Sequence, residues 1–303
     1  MDPPPCKFVI EASEALALAE SAAVTLPELL PTLVPAAQPL ARPPISKFSV
    51  AAVGLAPSGR IFVGVNLEFP GLPLHHSVHA EQFLITNLSL NAEPHLVSLA
   101  VSASPCGHCR QFLQELRAAA DVKILVTSEA TAEFRALSEF LPHRFGPHDL
   151  LPLEAPLLLE PHHNTLTLLL HHQQQQHYLN ALSNGHVAND KLISAALEAA
   201  NKSHAPYSGS PSGVALLDCH GNVFKGSYME SAAFNPSLGP VQAALVAFVA
   251  GGGGDYDRIV GAVLVEMDGA VVKQEHTARL LIHSISPNCQ FDTFLCHCNP
   301  SQP

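Results

Sequence analysis

The chain has 303 residues, 47% of them hydrophobic, which is enough for two domains with buried cores. Its formal charge of −11 at pH 7 argues against a surface that attracts nucleic acid or anionic lipid, and it favours a small neutral substrate. Apolar runs are interrupted by Pro or polar residues before they could span a bilayer, and the first residues lack the pattern of a secretory signal. Seven cysteines are an odd number, and Cys106 and Cys109 have the spacing of metal ligands, so we expect reduced thiols in a cytoplasmic protein.

In chain order, an Ala- and Leu-rich stretch predicts a helix over 13–23. Two apolar, β-branched runs at 48–55 and 60–67 flank a Pro-Ser-Gly turn and predict a β-hairpin. The elements that follow are a helix near 80–90, a buried strand at 96–103, an amphipathic helix at 110–119 and a strand at 122–126. Strands that alternate with helices predict a layered α/β fold.

A low-complexity stretch rich in His and Gln predicts a linker at 159–183. We therefore divide the chain into an N-terminal extension (1–24), a first α/β domain (25–158), this linker and a second α/β domain (184–303). The two halves match each other at one constant offset in sequence. The matching pairs are Pro44 with Pro206, Ser46 with Ser208, Leu55 with Leu217, Gly59 with Gly221, Phe62 with Phe224, Gly64 with Gly226 and Glu68 with Glu230. Matches in one register across a predicted hairpin indicate an internal duplication.

The strongest chemical motif is HAE at 79–81, followed by PCGHC at 105–109. His79, Cys106 and Cys109 would give zinc three protein ligands, the number typical of a catalytic site with water in the fourth position. Each ligand segment is predicted to open a helix, where the helix dipole lowers the pKa of a thiol. The pattern H-x-E followed by P-C-x-x-C is the known signature of zinc nucleobase deaminases. We predict one zinc ion per chain, a zinc-bound hydroxide that attacks C4 of a cytosine ring, and Glu81 as the proton shuttle.

Other interpretations of these residues are weaker. A structural zinc knuckle would need a fourth Cys or His ligand, and none lies in a helix-opening context. His108 lies between the two cysteines and is predicted to point away from the metal. The segment Cys296-His297-Cys298 also has metal-binding residue types, but it lacks a predicted helix start, so we expect it to hold no metal.

At these motifs the sequence resembles the two-domain, homodimeric cytidine deaminases of enteric bacteria and plants. The resemblance is carried by VGVNLEF at 63–69, SVHAEQ at 77–82, PCGHCRQF at 105–112, FGPHDL at 145–150, SHAPYSGSPSGVAL at 203–216 and GSYMESAAFNP at 226–236. It implies two copies of an αβα-layered cytidine deaminase fold with a mixed central sheet, the second copy degenerate. It also implies hydrolytic deamination of cytidine and deoxycytidine to uridine and deoxyuridine, with release of ammonia, in pyrimidine salvage.

The resemblance further implies which residues contact the substrate. Asn66 and Glu68 would hydrogen-bond the ribose 3′-hydroxyl, with Leu67 between them among the substrate-binding positions. The other implied contacts are Phe48 and Phe145 around the base (Phe145 from the partner subunit), the Ala80 amide and Ser104 carbonyl on the pyrimidine edge, and the backbone near Ala233 at the 5′-hydroxyl of the partner's substrate. Without the resemblance, Asn66 would be read as a turn residue at a strand end and Phe48 as a core residue.

The second half departs from the catalytic pattern. In the repeat register Val241 stands in place of His79, Ala243 in place of Glu81 and Tyr228 in place of Asn66, and no P-C-x-x-C follows. We therefore predict a catalytically inactive copy that helps to build a homodimer, with a small nucleoside as ligand and neither nucleic acid nor membrane as partner. Two alternatives stay open. A polynucleotide C-to-U deaminase would need basic and aromatic strand-binding patches, and a non-catalytic zinc protein acting through its dimer surface would not need Glu81.

Overall fold

A computed structural model describes residues 7–131, 133–169 and 187–298. The chain forms two compact units: Met1–Pro161 with Ser231–Ser237, and His162–Glu230 with Leu238–Pro303. Positions 170–186, which include most of the predicted linker, lie outside the described residues. The division into extension, first domain, linker and second domain remains a proposal.

The first unit is built on a six-stranded mixed sheet with the order β1-β3-β2-β4-β5-β6. Its strands are β1 (Val9–Ile10), β2 (Ala51–Leu55), β3 (Ile61–Val65), β4 (Ser98–Val101), β5 (Lys123–Val126) and β6 (Arg135–Ala136). All neighbours are antiparallel except β4 and β5, which are parallel. Its helices are α1 (Ala12–Ala22), α2 (Leu26–Ala37), α3 (Ala80–Leu90), α4 (Gly107–Phe112) and α5 (Leu137–Phe140).

Helix α3 packs closely on strand β3 because Gly64 has no side chain. A Cβ atom at Gly64 would lie 2.2 Å from the carbonyl oxygen of Ala80 and 2.5 Å from the backbone nitrogen of Leu84. Only glycine therefore allows this approach of helix to strand. The close contact fixes the start of α3, where the predicted HAE motif lies, against strand β3.

Most of the predicted elements of this unit are confirmed. The first helix is shifted by one residue, α3 has the predicted bounds, and the hairpin and both buried strands are present with shorter ends. The helix predicted over 110–119 is wrong: α4 begins at Gly107, and the chain tightens into a 3-10 turn at Leu113–Glu115 before Leu116 becomes extended. The apolar residues Phe112, Leu113 and Leu116 that suggested a longer helix are buried all the same, so the sequence pattern recorded burial and not helix length.

The second unit repeats this topology in a five-stranded sheet with the order β7-β11-β10-β8-β9. Its strands are β7 (Leu166–Leu168), β8 (Ser212–Asp218), β9 (Val223–Ser227), β10 (Ile259–Met267) and β11 (Gln290–Cys298), and its helices are α6 (Val187–Asn201), α7 (Pro240–Ala250) and α8 (Glu275–Ile285). The pairings β8 with β9 and with β10 are antiparallel and β10 with β11 is parallel, as for β2 to β5 in the first unit. A Cβ at Gly226 would lie 2.0 Å from the backbone nitrogen of Ala244, so the glycine contact between helix and strand is repeated too.

In the described part of the chain, no single helix has the length and apolar character needed to cross a membrane. The helix pair Ala12–Ala22 and Leu26–Leu40, bent by 94°, passes that test together by length and composition only.

Candidate active site

The three predicted metal ligands lie at the starts of two helices. His79 is the N-cap residue of α3, and Cys106 is the N-cap residue of α4, both with extended backbone. Cys109 follows in the first turn of α4 and is buried. The partial positive charge at a helix N-terminus favours the thiolate form of cysteine, which is the form that binds metal.

The ligand atoms converge with the spacing of a zinc site. The Nδ1 atom of His79 lies 3.5 Å from Cys106 Sγ and 3.2 Å from Cys109 Sγ, and the two sulfurs are 3.6 Å apart. Tetrahedral zinc, with bonds of about 2.3 Å to sulfur and about 2.0 Å to nitrogen, separates two sulfurs by about 3.8 Å and a sulfur from a nitrogen by about 3.5 Å. The three residues therefore fit the metal. Among the described residues, this is the one group of three or more potential ligands close enough to share an ion.

Hydrogen bonds and burial shift the pKa values of the two cysteines in opposite directions. Hydrogen bonds, first with Cys109 and then with His79, lower the pKa of Cys106 to about 3. The hydrogen bond with Cys106 and burial raise the pKa of Cys109. A coordinated cation would favour the thiolate of both cysteines, because a coordinating thiol loses its proton.

Glu81 is placed to exchange protons beside this group. It is the second residue of α3, its side chain is 4% exposed, and burial raises its pKa. It lines a cavity of about 460 Å³ together with His79 and Cys106, but its carboxylate is not one of the three clustered ligand atoms. A buried carboxylate with a raised pKa, next to a metal site and open to a cavity, is suited to general acid–base chemistry.

Several of the predicted substrate contacts line the same cavity: Phe48, Asn66, Glu68, Ala80 and Ser104. Phe48 is 61% exposed, so it is not the core residue that its sequence context alone suggested. Leu67, another predicted substrate-binding position, does not line this cavity, and a binding role for it remains a proposal. Its N–H donates to Val78 and its carbonyl accepts from Val78, and its side chain is fully buried, so it is a core residue between two cavity residues.

Asn66 and Glu68 have defined hydrogen bonds within the unit. The Asn66 side chain accepts the N–H of Val50 at 2.9 Å and donates to the carbonyl of Phe48 at 2.9 Å. The Glu68 carboxylate accepts the N–H groups of Ile45 and Ser46 and the hydroxyl of Ser46. Burial acts to raise the pKa of Glu68, but these hydrogen bonds outweigh it and the pKa is lowered.

These bonds leave capacity on both side chains. A carboxylate offers about four acceptor positions and a primary amide has two N–H donors. Glu68 can therefore still accept one hydrogen bond and Asn66 can still donate one, both beside the cavity. The turn-residue interpretation of Asn66 and its binding role are compatible.

Two implied contacts do not line this cavity in their own chain. Phe145 is 44% exposed, and its carbonyl accepts a hydrogen bond from the Gln111 side chain. Ala233 is also exposed. Both were expected to act towards a partner subunit, so their roles stay proposals.

Two residues at the site were not predicted from the sequence. Ser46 holds Glu68, and the only sequence signal for it was its repeat match with Ser208. Asn235 lines a second cavity of about 520 Å³ with Leu74, His75, Ser77, His79 and His108. Because Leu74, Ser77 and His79 line both cavities, the second cavity adjoins the first on the metal side. His108 stacks on His79 with 5.3 Å between ring centroids, and burial lowers its pKa.

The Cys296-His297-Cys298 segment does not form a comparable group. It lies in strand β11, where successive side chains point to opposite faces. Cys296 is buried, while His297 and Cys298 are exposed. The strand geometry therefore prevents the three from meeting at one ion.

Within the second unit, the positions equivalent to His79 and Glu81 are apolar and buried. Val241 and Ala243 are buried, and Ser210, which stands in the place of Phe48, accepts the N–H of Val272 at 3.2 Å. The loop that follows β10 thus packs on Ser210 of its own unit. Ser210 is the position equivalent to Phe48, which lines the cavity in the first unit.

Comparison with known proteins agrees with this geometry. Two family models, both described as "Cytidine and deoxycytidylate deaminase zinc-binding region", match residues 27–126 and 137–279. Among curated proteins of Arabidopsis thaliana, the chain is 58% identical to cytidine deaminase 1, over 98% of this chain and 99% of that protein. Identity is 50% to cytidine deaminase 7 (96% of this chain and 94% of that protein) and 49% to cytidine deaminase 6 (96% and 98%). The resemblance to cytidine deaminases is confirmed, and the chain belongs to the zinc-binding cytidine and deoxycytidylate deaminase family.

Proposed function

We propose that the protein hydrolytically deaminates cytidine and deoxycytidine to uridine and deoxyuridine and releases ammonia. The observation that carries this proposal is that the buried Glu81 carboxylate shares one cavity with His79 and Cys106. A structural zinc site would not need an acid with a raised pKa at that position.

His79, Cys106 and Cys109 would hold the zinc ion. When bound, zinc lowers the pKa of a water molecule towards about 7 and so makes it a nucleophile at neutral pH. Glu81 takes a proton from water and gives it to N3 of the pyrimidine ring as C4 is attacked. Glu81 then carries the proton of the new C4 hydroxyl to the exocyclic amine, so that the C4 carbonyl of uridine forms as the C4–N bond breaks and ammonia leaves. One carboxylate thus serves both proton transfers.

Backbone and aromatic groups would orient the base. Ala80 is the first residue of α3, and N–H groups in the first turn of a helix have no partner within that helix. Its N–H and the carbonyl of Ser104 would read the pyrimidine edge, and the exposed ring of Phe48 would cover a face of the base.

The ribose would be held by the remaining capacity of Asn66 and Glu68. Glu68 would accept the proton of the 3′-hydroxyl, while the second N–H of Asn66 would donate to its oxygen. This arrangement favours a free nucleoside, because an esterified 3′ oxygen has no proton to donate. We accordingly exclude polynucleotides from the proposed substrates, and no membrane is proposed as a partner.

We propose a homodimer as the active form. Phe48, Leu74, Phe145 and Phe234 are large apolar side chains of the first unit that are 44–71% exposed. Exposed apolar side chains that lie together are typical of interaction sites, and Phe48 and Leu74 line the same cavity. In the dimer, Phe145 and the backbone near Ala233 would reach the partner's substrate. Light scattering of a fully active sample should show the dimer, and an active monomer would contradict this part of the proposal.

We propose a role in pyrimidine salvage, in which free nucleosides are reused, because both the proposed substrate and the proposed product are free nucleosides. We propose the cytoplasm as its location, since two of the metal ligands are thiols that must stay reduced. The N-terminal extension and the degenerate second domain would support the catalytic domain without contributing a second metal site.

The test is turnover of cytidine by purified protein whose zinc content has been measured. Equimolar uridine and ammonia should form, and chelation of the metal should stop the reaction. Protein with one zinc per chain that leaves cytidine unchanged would overturn the proposed function.

A further inference from the structure

A turn that is remote in sequence is part of the first unit. Residues Ser231–Ser237 belong to the same compact group of contacts as Met1–Pro161. Two buried hydrogen bonds attach the turn. The N–H of Ala232 donates to Glu115 Oε1 at 2.8 Å, and the Gln82 side-chain amide donates to the carbonyl of Pro236 at 3.0 Å.

Both attachment points adjoin the segments that carry the predicted metal ligands. Gln82 follows Glu81 in α3, and its side-chain oxygen also accepts the N–H of His79 at 3.3 Å. Glu115 lies in the 3-10 turn directly after α4, the helix that carries Cys109, and its side chain is fully buried. The turn is therefore coupled to both helices of the metal site.

The turn itself is held in an unusual conformation. Phe234 has a φ of 62°, in the left-handed region that favours glycine, and its ring is 67% exposed. The N–H of Phe234 donates to Ser231 and the N–H of Ser237 donates to Phe234. Strained backbone persists where surrounding contacts enforce it, and such positions concentrate at functional sites. Here the next residue, Asn235, lines the cavity that also contains His79 and His108.

We propose that Glu115 is a positioning residue for substrate binding. Its buried carboxylate fixes the Ser231–Ser237 turn, so that Asn235 forms a wall of the cavity on the metal side. The inference rests on the proposed deaminase function. Glu115 is remote from the reacting atoms in this scheme, because it acts through the turn. Its loss should therefore weaken substrate binding and leave the chemical step nearly unchanged.

Three variants test the proposal: Glu115→Ala, Glu115→Gln and Asn235→Ala. Glu115→Ala should raise the KM for cytidine about tenfold with kcat within about threefold and zinc content unchanged, the loss expected for one buried hydrogen bond to a charged group. Glu115→Gln keeps an oxygen that can accept the Ala232 N–H, so its KM should remain near that of the wild type. Asn235→Ala alters an exposed side chain and should raise KM without lowering the thermal unfolding midpoint.

The double variant Glu115→Ala/Asn235→Ala should have the same KM as Glu115→Ala alone, because both substitutions remove the same cavity wall, the one formed by Asn235. A Glu115→Ala protein with unchanged KM, or one that loses kcat and zinc together, would overturn the proposal. If Glu115→Ala does not fold, Asn235→Ala decides, and an unchanged KM in that variant is equally fatal.

Hydrogen exchange of the peptide that spans 231–237 provides a readout independent of activity. Exchange should be faster in Glu115→Ala than in the wild type and in Glu115→Gln. Equal exchange in all three proteins would show that Glu115 does not fix the turn. Wild-type protein that fails to deaminate cytidine would instead refute the proposed function, while the exchange experiment would still judge the attachment of the turn.

Discussion

The hydroxyl of Ser46 donates a hydrogen bond to the carboxylate of Glu68, and the same pair recurs in the second unit as Ser208 and Glu230. In both units the carboxylate also accepts the backbone N–H groups of the serine and of the residue before it. This repeated arrangement stabilises the loop beside the hairpin in each unit. Glu68 in addition lines the cavity that contains His79 and Glu81.

The repeat therefore offers a matched pair of variants. Ser46→Ala removes one hydrogen bond that orients Glu68, and we expect the KM for cytidine to rise three- to tenfold, which corresponds to about 1 kcal/mol. Both substitutions should lower the thermal unfolding midpoint to a similar degree, because each removes one hydrogen bond. Ser208→Ala should leave KM unchanged. Steady-state kinetics and thermal unfolding of both variants check this. If Ser46→Ala and Ser208→Ala change the KM for cytidine equally, the hydrogen bond from Ser46 to Glu68 has only a structural role.

The Glu81→Gln variant tests the proton shuttle. Glutamine keeps the shape of the side chain but cannot carry a proton, so kcat should fall by about 10²–10⁴-fold or more, with zinc content unchanged. Turnover within a few-fold of the wild type would rule Glu81 out as the shuttle.

Glu93→Gln is the control for removal of a buried carboxylate. Glu93 is 3% exposed and accepts hydrogen bonds from Arg60 and Ser58. Its glutamine variant should lose some stability while its kcat stays within about twofold of the wild type. A large loss of kcat in this variant would mean that the assay reports general damage to the unit.

Metal content separates the two cysteine groups. Elemental analysis should give one zinc per wild-type chain, and Cys109→Ala should lose it, since two remaining ligands cannot hold zinc tightly. Cys298→Ala should keep one zinc, because Cys298 is the exposed last residue of β11 and belongs to no group of three close ligands among the described residues. Two zinc ions per wild-type chain would contradict the prediction that the Cys296-His297-Cys298 segment is empty.

The sequence predicted those parts of the site that depend on local pattern. The HAE and PCGHC motifs placed the ligands at helix starts, because capping and helix dipole act over a few residues. Ser46 and Glu115 were missed as contributors since their partners lie far away in sequence or belong to a different element. Successive side chains of an extended segment point to opposite faces, so Leu67 faces the core while Asn66 and Glu68 line the cavity. The length of α4 was overestimated because buried apolar residues continue past the end of the helix.

The final prediction is that the substrate needs a free 3′-hydroxyl. The Glu68 carboxylate already accepts three hydrogen bonds and Asn66 already makes two, so each can offer one further bond to a ligand. A hydroxyl satisfies both at once, since its proton goes to Glu68 and its oxygen accepts from Asn66. A 3′-phosphate would instead bring negative charge to a carboxylate whose pKa is lowered, so that it remains ionised at neutral pH. Sites built to bind a hydroxyl can discriminate against analogues that lack it by up to about 10⁴–10⁵-fold.

We expect kcat/KM to fall by at least about 10²-fold from cytidine to 3′-deoxycytidine, cytidine 3′-phosphate and an internal cytidine of a short single strand. Glu68→Gln should reduce the preference against the 3′-phosphate, because the repulsion is removed while the loop keeps an acceptor. Similar kcat/KM values for cytidine and the single strand would favour a polynucleotide deaminase. Similar values for cytidine and 3′-deoxycytidine would mean that Asn66 and Glu68 only stabilise the loop and do not bind the 3′-hydroxyl.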